Sequence, residues 1–319
     1  MKIRSEDIAF DPAEMLTCDN CGKQNPPNRA NCLYCAAALS GADGTAGALK
    51  LNLRPLENWE NGFNIVTRPP AREPDIAAIG RYLKLGPDIV ADMTAAQHPF
   101  PVVRLESETE AATAAAYLET LGLAATIVKD VDLKIVKPNI RLRRLDFLDD
   151  ALQFTLFNTG EQRLVRREDV ALIVAGVIVE SKTEAIEKRK KTERKVMSET
   201  ATSSDDLLID LYITGEPAGY RVTTKGFDFS TLGTEKGLLA VENIRRLLER
   251  LKGFAPAARS VDEFGERMNT LSLVWDLDRR TDFEGLKRTG VWKAGFANVM
   301  RTSNLEQFTK YSRLQRIML

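Results

Sequence analysis

The chain has 319 residues, enough for two or three domains. Apolar residues make up 44% and charged residues 28%, the balance of a soluble chain that buries real cores. Lys+Arg and Asp+Glu are equal at 45 each, which excludes a whole-chain field drawing it to nucleic acid or anionic lipid and leaves such binding to local patches. The start, MKIRSEDIAFDP, is charged and has no apolar core, so no secretory signal is expected. The longest apolar run, ALIVAGVIV at 171–179, is far below the ~20 residues a spanning helix needs. The expectation is a cytoplasmic protein with no membrane span.

All four cysteines fall within CDNCGKQNPPNRANCLYC, residues 18–35. The spacing Cys-x2-Cys-x10-Cys-x2-Cys marks Cys18, Cys21, Cys32 and Cys35 as ligands of one ion. Two such turns each aim a pair of thiolates at one point, and together they supply a tetrahedral set at about 2.3 Å. A disulfide reading fits poorly in a large chain without an export signal. The closed four-thiolate set points to one structural zinc ion; a rubredoxin-like iron centre or redox dithiols remain alternatives. Gly22 is expected to relieve crowding beside Cys21, and Pro26 and Pro27 to stiffen the excursion between the turns. A site this small has no core of its own, so metal binding should drive its folding.

CDNCGKQNPPNRANCLYCAAAL resembles the short bacterial zinc ribbon: Cys-x-x-Cys-Gly-x-x-Asn-Pro-Pro, then Cys-x-x-Cys and a nearby leucine. The resemblance covers residues 16–39 and implies a structural zinc held by those four cysteines rather than a reaction. Ala36 stands where the second turn usually has glycine. The stretch is also similar to the Ran-binding-protein-type finger, which has an asparagine where Asn25 stands. That family's tryptophan two residues before the first cysteine is Leu16 here, so its RNA- or ubiquitin-binding role is not carried over.

Residues 40–74 read as a linker, from the small and glycine-rich AAALSGADGTAGALKLN to the proline-rich RPPAREPD. A small α/β module is expected over 75–138. It opens with two short helices split at Gly86-Pro87 and continues with a strand FPVVRL, an alanine-rich helix and a strand LAATIVKD. Glu106, Glu108 and Glu110 lie near the helix's positive end, and Ala114, Ala115, Leu118 and Leu121 share its buried face. This β-α-β order is that of half a ferredoxin-like sandwich.

A β-rich module with C-terminal helices is expected over 139–276. IRLRRLDFLDD, ALQFTLFNTGEQRLV and VALIVAGVIVES read as strands, with a hairpin turn at Gly160. KTEAIEKRKKTERKVMSETATSSDD reads as a charged loop interrupting the strands. LLIDLYITG and GYRVTTKGFDF resume them. A helix follows over EKGLLAVENIRRLLERLKGF, with Leu238, Leu239, Val241, Ile244, Leu247, Leu248 and Leu251 near one stripe, and another over 260–275. Strands followed by a capping helix match a pleckstrin-homology-like barrel. Residues 277–319 read as a basic, partly helical tail, weakly tied to the rest. The fold class expected is therefore α+β.

No catalytic set is apparent. His98, the single histidine, is expected to end a helix before Pro99, with no acid or nucleophile beside it in sequence. GADGTAG and LGTEKG lack phosphate-loop spacing. Asp282, Glu284 and the acids at 262–266 read as helix-surface carboxylates. Residues 182–195 hold seven Lys/Arg against three Glu, and 279–319 hold nine against three acids, with Trp292, Phe296, Phe308 and Tyr311 interleaved. Such a patch suits nucleic acid. The favoured expectation is a non-enzymatic adaptor or regulator acting through a protein partner, with nucleic-acid binding as the alternative.

Overall fold

The computed structural model describes residues 15–26, 32–35, 37, 51, 53–57, 59–133, 138–190, 193–290 and 293–319, with backbone alone for those within 186–199 and 284–297. The architecture is mixed α+β. A two-stranded ribbon, β1 (Leu16–Thr17) against β2 (Gln24–Asn25), precedes two larger sheets.

The smaller sheet has three strands in the order β4-β3-β5: β3 (Phe63–Thr67), β4 (Phe100–Leu105) and β5 (Ala125–Lys129). Two short helices, α1 (Ile76–Leu83) and α2 (Pro87–Thr94), connect β3 to β4, α3 (Glu108–Thr120) connects β4 to β5, and a single helical turn, α4 (Asp130–Leu133), follows β5. Asp75 caps α1 by accepting from the Ala78 amide at 2.9 Å, and Pro87 opens α2, where its missing N–H costs nothing. Ser107 caps α3, Glu108 and Glu110 sit in its first turn, and Ala111, Ala114, Ala115 and Leu118 are buried. The expected β-α-β order is present, but its strands are not neighbours. β3 lies between β4 and β5 and runs antiparallel to both, so part of the expected linker 40–74 is the central strand of this sheet. The strand FNIVT is short and bounded by glycine and prolines, which masks it in sequence.

The larger sheet runs β13-β14-β9-β10-β11-β6-β7-β8. Its strands are β6 (Ile140–Phe147), β7 (Ala151–Leu156), β8 (Gln162–Arg166), β9 (Val170–Lys190), β10 (Glu193–Ile213), β11 (Tyr220–Thr223), β13 (Asp278–Gly290) and β14 (Lys293–Ser303). β12 (Arg259–Val261) pairs with the first part of β9, and β14 pairs with its later part from Glu180 to Glu187. The charged stretch expected as a loop is thus the far half of a hairpin of two 21-residue strands. Strand neighbours on both sides of β9 satisfy its backbone, so charged side chains there do not prevent pairing. The expected hairpin turn at Gly160 is present, with φ +71°.

Three further expectations are corrected. The helix α5 (Ala240–Phe254) starts later than its leucines suggest. Leu238 and Leu239 precede it and are exposed, while Asn243, Ile244, Leu247, Leu248 and Leu251 form the buried stripe. The region 260–275 holds β12 and one helical turn, α6 (Met268–Leu271), rather than a long helix. The supposed tail supplies the β13–β14 hairpin and a helix, α7 (Leu305–Ile317), whose Phe308, Tyr311 and Leu314 are fully buried. Asp282 accordingly lies on a strand and not on a helix.

The middle of β9 and β10 is buried on both faces, which explains the unbroken run ALIVAGVIV. Leu172, Val174, Leu208 and Tyr212 face one core together with Ile65, Phe100, Leu118, Trp275 and Phe308. Ile173, Ala175, Ile209 and Leu211 face a second core under α5. The first core is continuous between the two sheets. A buried polar chain fastens it: Trp275 Nε1 donates to Asn64 Oδ1 at 2.8 Å, and Asn64 Nδ2 donates to Asp130 Oδ1 at 2.8 Å. Asp130 also pairs with the buried Arg104 at 2.6 Å, and Arg104 donates to the Leu56 and Glu60 carbonyls, holding the segment before β3. No described helix is long and apolar enough to cross a membrane.

Candidate metal centre

The ribbon strands bring the first pair of cysteines into a tight turn. The Cys18 amide donates to the Lys23 carbonyl at 3.0 Å, and the Gly22 amide donates to the Cys18 carbonyl at 2.7 Å. Gly22 has φ +67°, and a β-carbon built there would meet nothing within 4 Å. The glycine is therefore required by the left-handed backbone that closes the turn, not by crowding at the sulfurs as expected. In the second turn the Cys32 amide donates to the Ala37 carbonyl at 2.8 Å. Pro27 and Ala36 lie outside the described residues.

The four predicted ligands converge. Their Sγ atoms all lie within 4.8 Å of one another, with Cys18 and Cys32 buried and Cys21 and Cys35 half-buried. Cys18 Sγ is 3.6 Å from Cys35 Sγ, and Cys21 Sγ is 3.5 Å from Cys32 Sγ. These separations are far beyond a disulfide bond and close to the edge of about 3.8 Å that a tetrahedron of ~2.3 Å metal–sulfur bonds would have. The residues present fit one metal ion.

The surroundings of Cys32 and Cys35 favour thiolate. The Tyr34 amide donates to Cys32 Sγ at 3.4 Å, and Asn20 Nδ2 lies 3.6 Å from Cys35 Sγ. Burial opposes ionisation of Cys32, but the Tyr34 and Cys35 amides outweigh it and bring its pKa down to about 6. The Ala37 amide, then Asn20, lowers that of Cys35. At Cys21 the Lys23 amide favours the thiolate, yet burial and the other sulfurs together push its pKa up to about 12. Without an ion the cluster cannot ionise fully, since each thiolate formed opposes the next; a bound dication removes that obstacle.

Asn25 links the two turns. It is fully buried, its Nδ2 donates to the Lys23 carbonyl at 2.8 Å, and its Oδ1 accepts from the Leu33 amide at 2.8 Å. Sequence reasoning marked this position only through a family resemblance. Leu33 and Tyr34, between the last two ligands, are exposed at 51% and 60%, with Lys23 Nζ 4.4 Å from the centre of the Tyr34 ring.

His98 does not end a helix; it lies in a bend four residues beyond α2. It has an acid after all, brought by the fold. Glu263 Oε1 is 2.9 Å from His98 Nδ1, and the Gln97 and His98 amides each donate to this carboxylate at 3.1 Å. Arg267 and Tyr311 also face it. Burial opposes the charge of Glu263, but His98 and the Gln97 amide win and hold its pKa below the ordinary value. Arg267 continues the contact to Asp92 on α2. Among the described residues no hydroxyl or thiol bonds to the His98 ring, so the cluster reads as a latch between the small sheet's helices and the region after β12. Among the expected basic-patch aromatics, Phe308 and Tyr311 are core residues, while Trp292 and the Phe296 side chain lie outside the description.

No family model, curated protein or solved structure matches the chain. The case for a metal centre therefore rests on the ligand set and its geometry.

Proposed function

We propose that this protein is a zinc-binding, non-enzymatic adaptor or regulator of the cytoplasm, with the ribbon as a recognition head. The zinc assignment is supported by four thiolate donors, a closed set with no position left for a substrate, and spacing close to a tetrahedron. In the ribbon-bearing body, the split β-α-β sheet supports comparison with half a ferredoxin-like sandwich. The strands capped by α5 support a pleckstrin-homology-like module.

The observation that carries the recognition role is the exposed Leu33–Tyr34 pair. The backbone beneath it is held by Asn25 and by Cys32 Sγ, so two large side chains are presented on a turn that the metal would order. A preorganised apolar and aromatic pair loses little entropy on binding, which favours a protein partner.

The test is a pull-down with the intact protein, a Cys18→Ser/Cys21→Ser variant and a Leu33→Ala/Tyr34→Ala variant. Partners lost from both variants place recognition on the ribbon. An unchanged set in both refutes a recognition role for it. A salt-titrated assay with RNA and DNA separates the alternative, since phosphate-driven binding weakens steeply as salt rises.

A further inference from the structure

A cleft of about 470 Å³, within the range of small-molecule sites, lies among the end of α1, β4, the chain before β3 and the residues after α6. It shares no residue with the metal centre. Ten of its fourteen lining residues are apolar, so its walls suit a carbon skeleton. Val102 of β4, Leu83 of α1 and Val274 after α6 are buried there, as are Leu51 and Leu56 from the chain that leads into β3.

The walls are fixed by the fold itself. Arg104 donates to the Leu56 carbonyl at 2.8 Å and to the Glu60 carbonyl at 2.7 Å, and its ion pair with Asp130 is buried. Trp275, next to Val274, is held by its bond to Asn64. Asn64 and Arg104 share Asp130, so one polar chain ties both walls to the small sheet. Walls already in place lower the ordering cost of binding a ligand.

Four charged residues line the cleft, and two of them are committed. Arg104 belongs to Asp130, and Arg54 to Glu60 and Glu106 at 2.9 and 3.0 Å. Lys84 and Asp276 are exposed, and neither side chain has a hydrogen bond or ion pair among the described residues. With the partners of the arginines included, three cations stand against four acids, so no surplus draws in a simple anion. Lys84 in turn opposes a simple amine. Lys84 is also the one non-glycine residue described with positive φ, at 55°. It ends α1 and brings Leu83, Lys84 and Leu85 in succession to the cleft. Glycine is the usual occupant of such a position; lysine accepts backbone strain there and keeps a cation at the rim.

We infer that this cleft binds a free amino acid with a large apolar side chain, its carboxylate on Lys84, its ammonium on Asp276 and its side chain against the leucine and valine walls. One free cation, one free carboxylate and an apolar interior are the complement of such a zwitterion. The flexible four-carbon stem of Lys84 lets its ammonium follow the ligand's carboxylate, and the ligand's side chain gains by leaving water.

The test is calorimetric titration of the full chain with leucine and phenylalanine. Isocaproate and hydrocinnamate lack the ammonium, isoamylamine and phenethylamine lack the carboxylate, and glycine lacks the apolar side chain. The expected result is millimolar or tighter binding of at least one of the two amino acids, with glycine and its own truncated analogues at least about tenfold weaker. Lys84→Gln and Asp276→Asn alter exposed side chains without partners, so each should melt as the wild type does. Each should bind the amino acid about tenfold more weakly. No binding of leucine or phenylalanine up to about 10 mM, a truncated analogue as tight as its parent, or affinity unchanged in either variant overturns the proposal.

Discussion

At the scale of single residues, polar side chains with no role evident in sequence hold the important geometry. Asn25 satisfies one donor and one acceptor from two turns that the sequence keeps apart, at positions 23 and 33. Asn25→Ala leaves both backbone groups unpaired beside the ligands, and outer contacts of this kind typically govern ten- to a hundredfold in metal affinity. The variant should lose about that much, read by competition with a chromophoric chelator. Gly176 illustrates a different constraint. A β-carbon there would run into the Phe308 ring and approach Phe264 Cδ1 at 2.8 Å, and both rings are buried. Gly176→Ala should therefore cost about 1–3 kcal/mol through overpacking, seen as a lower midpoint in urea unfolding. By contrast the glycine at position 22 answers to its own φ alone.

At the scale of elements, the chain is tied together by contacts between segments distant in sequence. The Glu263 cluster joins the loop after α2 to the segment between β12 and α6, with His98, Arg267, Tyr311 and the Gln97 amide all facing one carboxylate. The folded-state pKa of Glu263 is lowered, so its contribution is fully present above the unfolded value of about 4.3 and is lost as pH falls through the folded one. Glu263→Gln lacks that contribution. Wild type should melt higher at neutral pH, and the gap should narrow as pH falls from about 5 to 3. A gap independent of pH would mean that the carboxylate charge does not stabilise the latch. The α7 helix makes a similar point, since deletion of residues 305–319 removes Phe308, Tyr311, Leu314 and Met318 from the first core. A weakly tied tail would be dispensable. This helix should not be, and its deletion should leave the protein insoluble or without a cooperative melt.

At the scale of the whole molecule, the metal centre and the body rest on different physics. The buried cysteines form their own small cluster with Leu16 and Ala37, separate from the two large cores. The described part of the ribbon has only two-residue strands, so under the proposed zinc assignment a bound ion would supply its stability. The body buries both faces of its long central strands, and among its described residues there is no further cluster of metal-ligating side chains. A strong chelator should therefore abolish the ribbon's order while the strand signal in circular dichroism and the body's melting temperature stay unchanged. Loss of that signal on chelation would show that the two parts fold as one.

Several features were set by neighbours in sequence, and these were legible. The gathering of the four cysteines follows from their spacing, α3 from Ser107 and its alanine face, β4 from FPVVRL, and most of the α5 stripe from leucine periodicity. Each depends on residues within a few turns of one another. What the tertiary structure decided depends on partners far away. β3 becomes a central strand because β4 and β5 flank it, and the charged run becomes strand because β14 arrives to pair with it. His98 gains an acid 165 residues later in the chain, and Arg221 is held by Asp210, itself fixed by Ser312, across two strands and a helix. Spacing along the chain encodes how a turn or helix presents its own residues; it carries no record of which distant backbone will complete a hydrogen-bond ladder or which carboxylate will share a cavity wall.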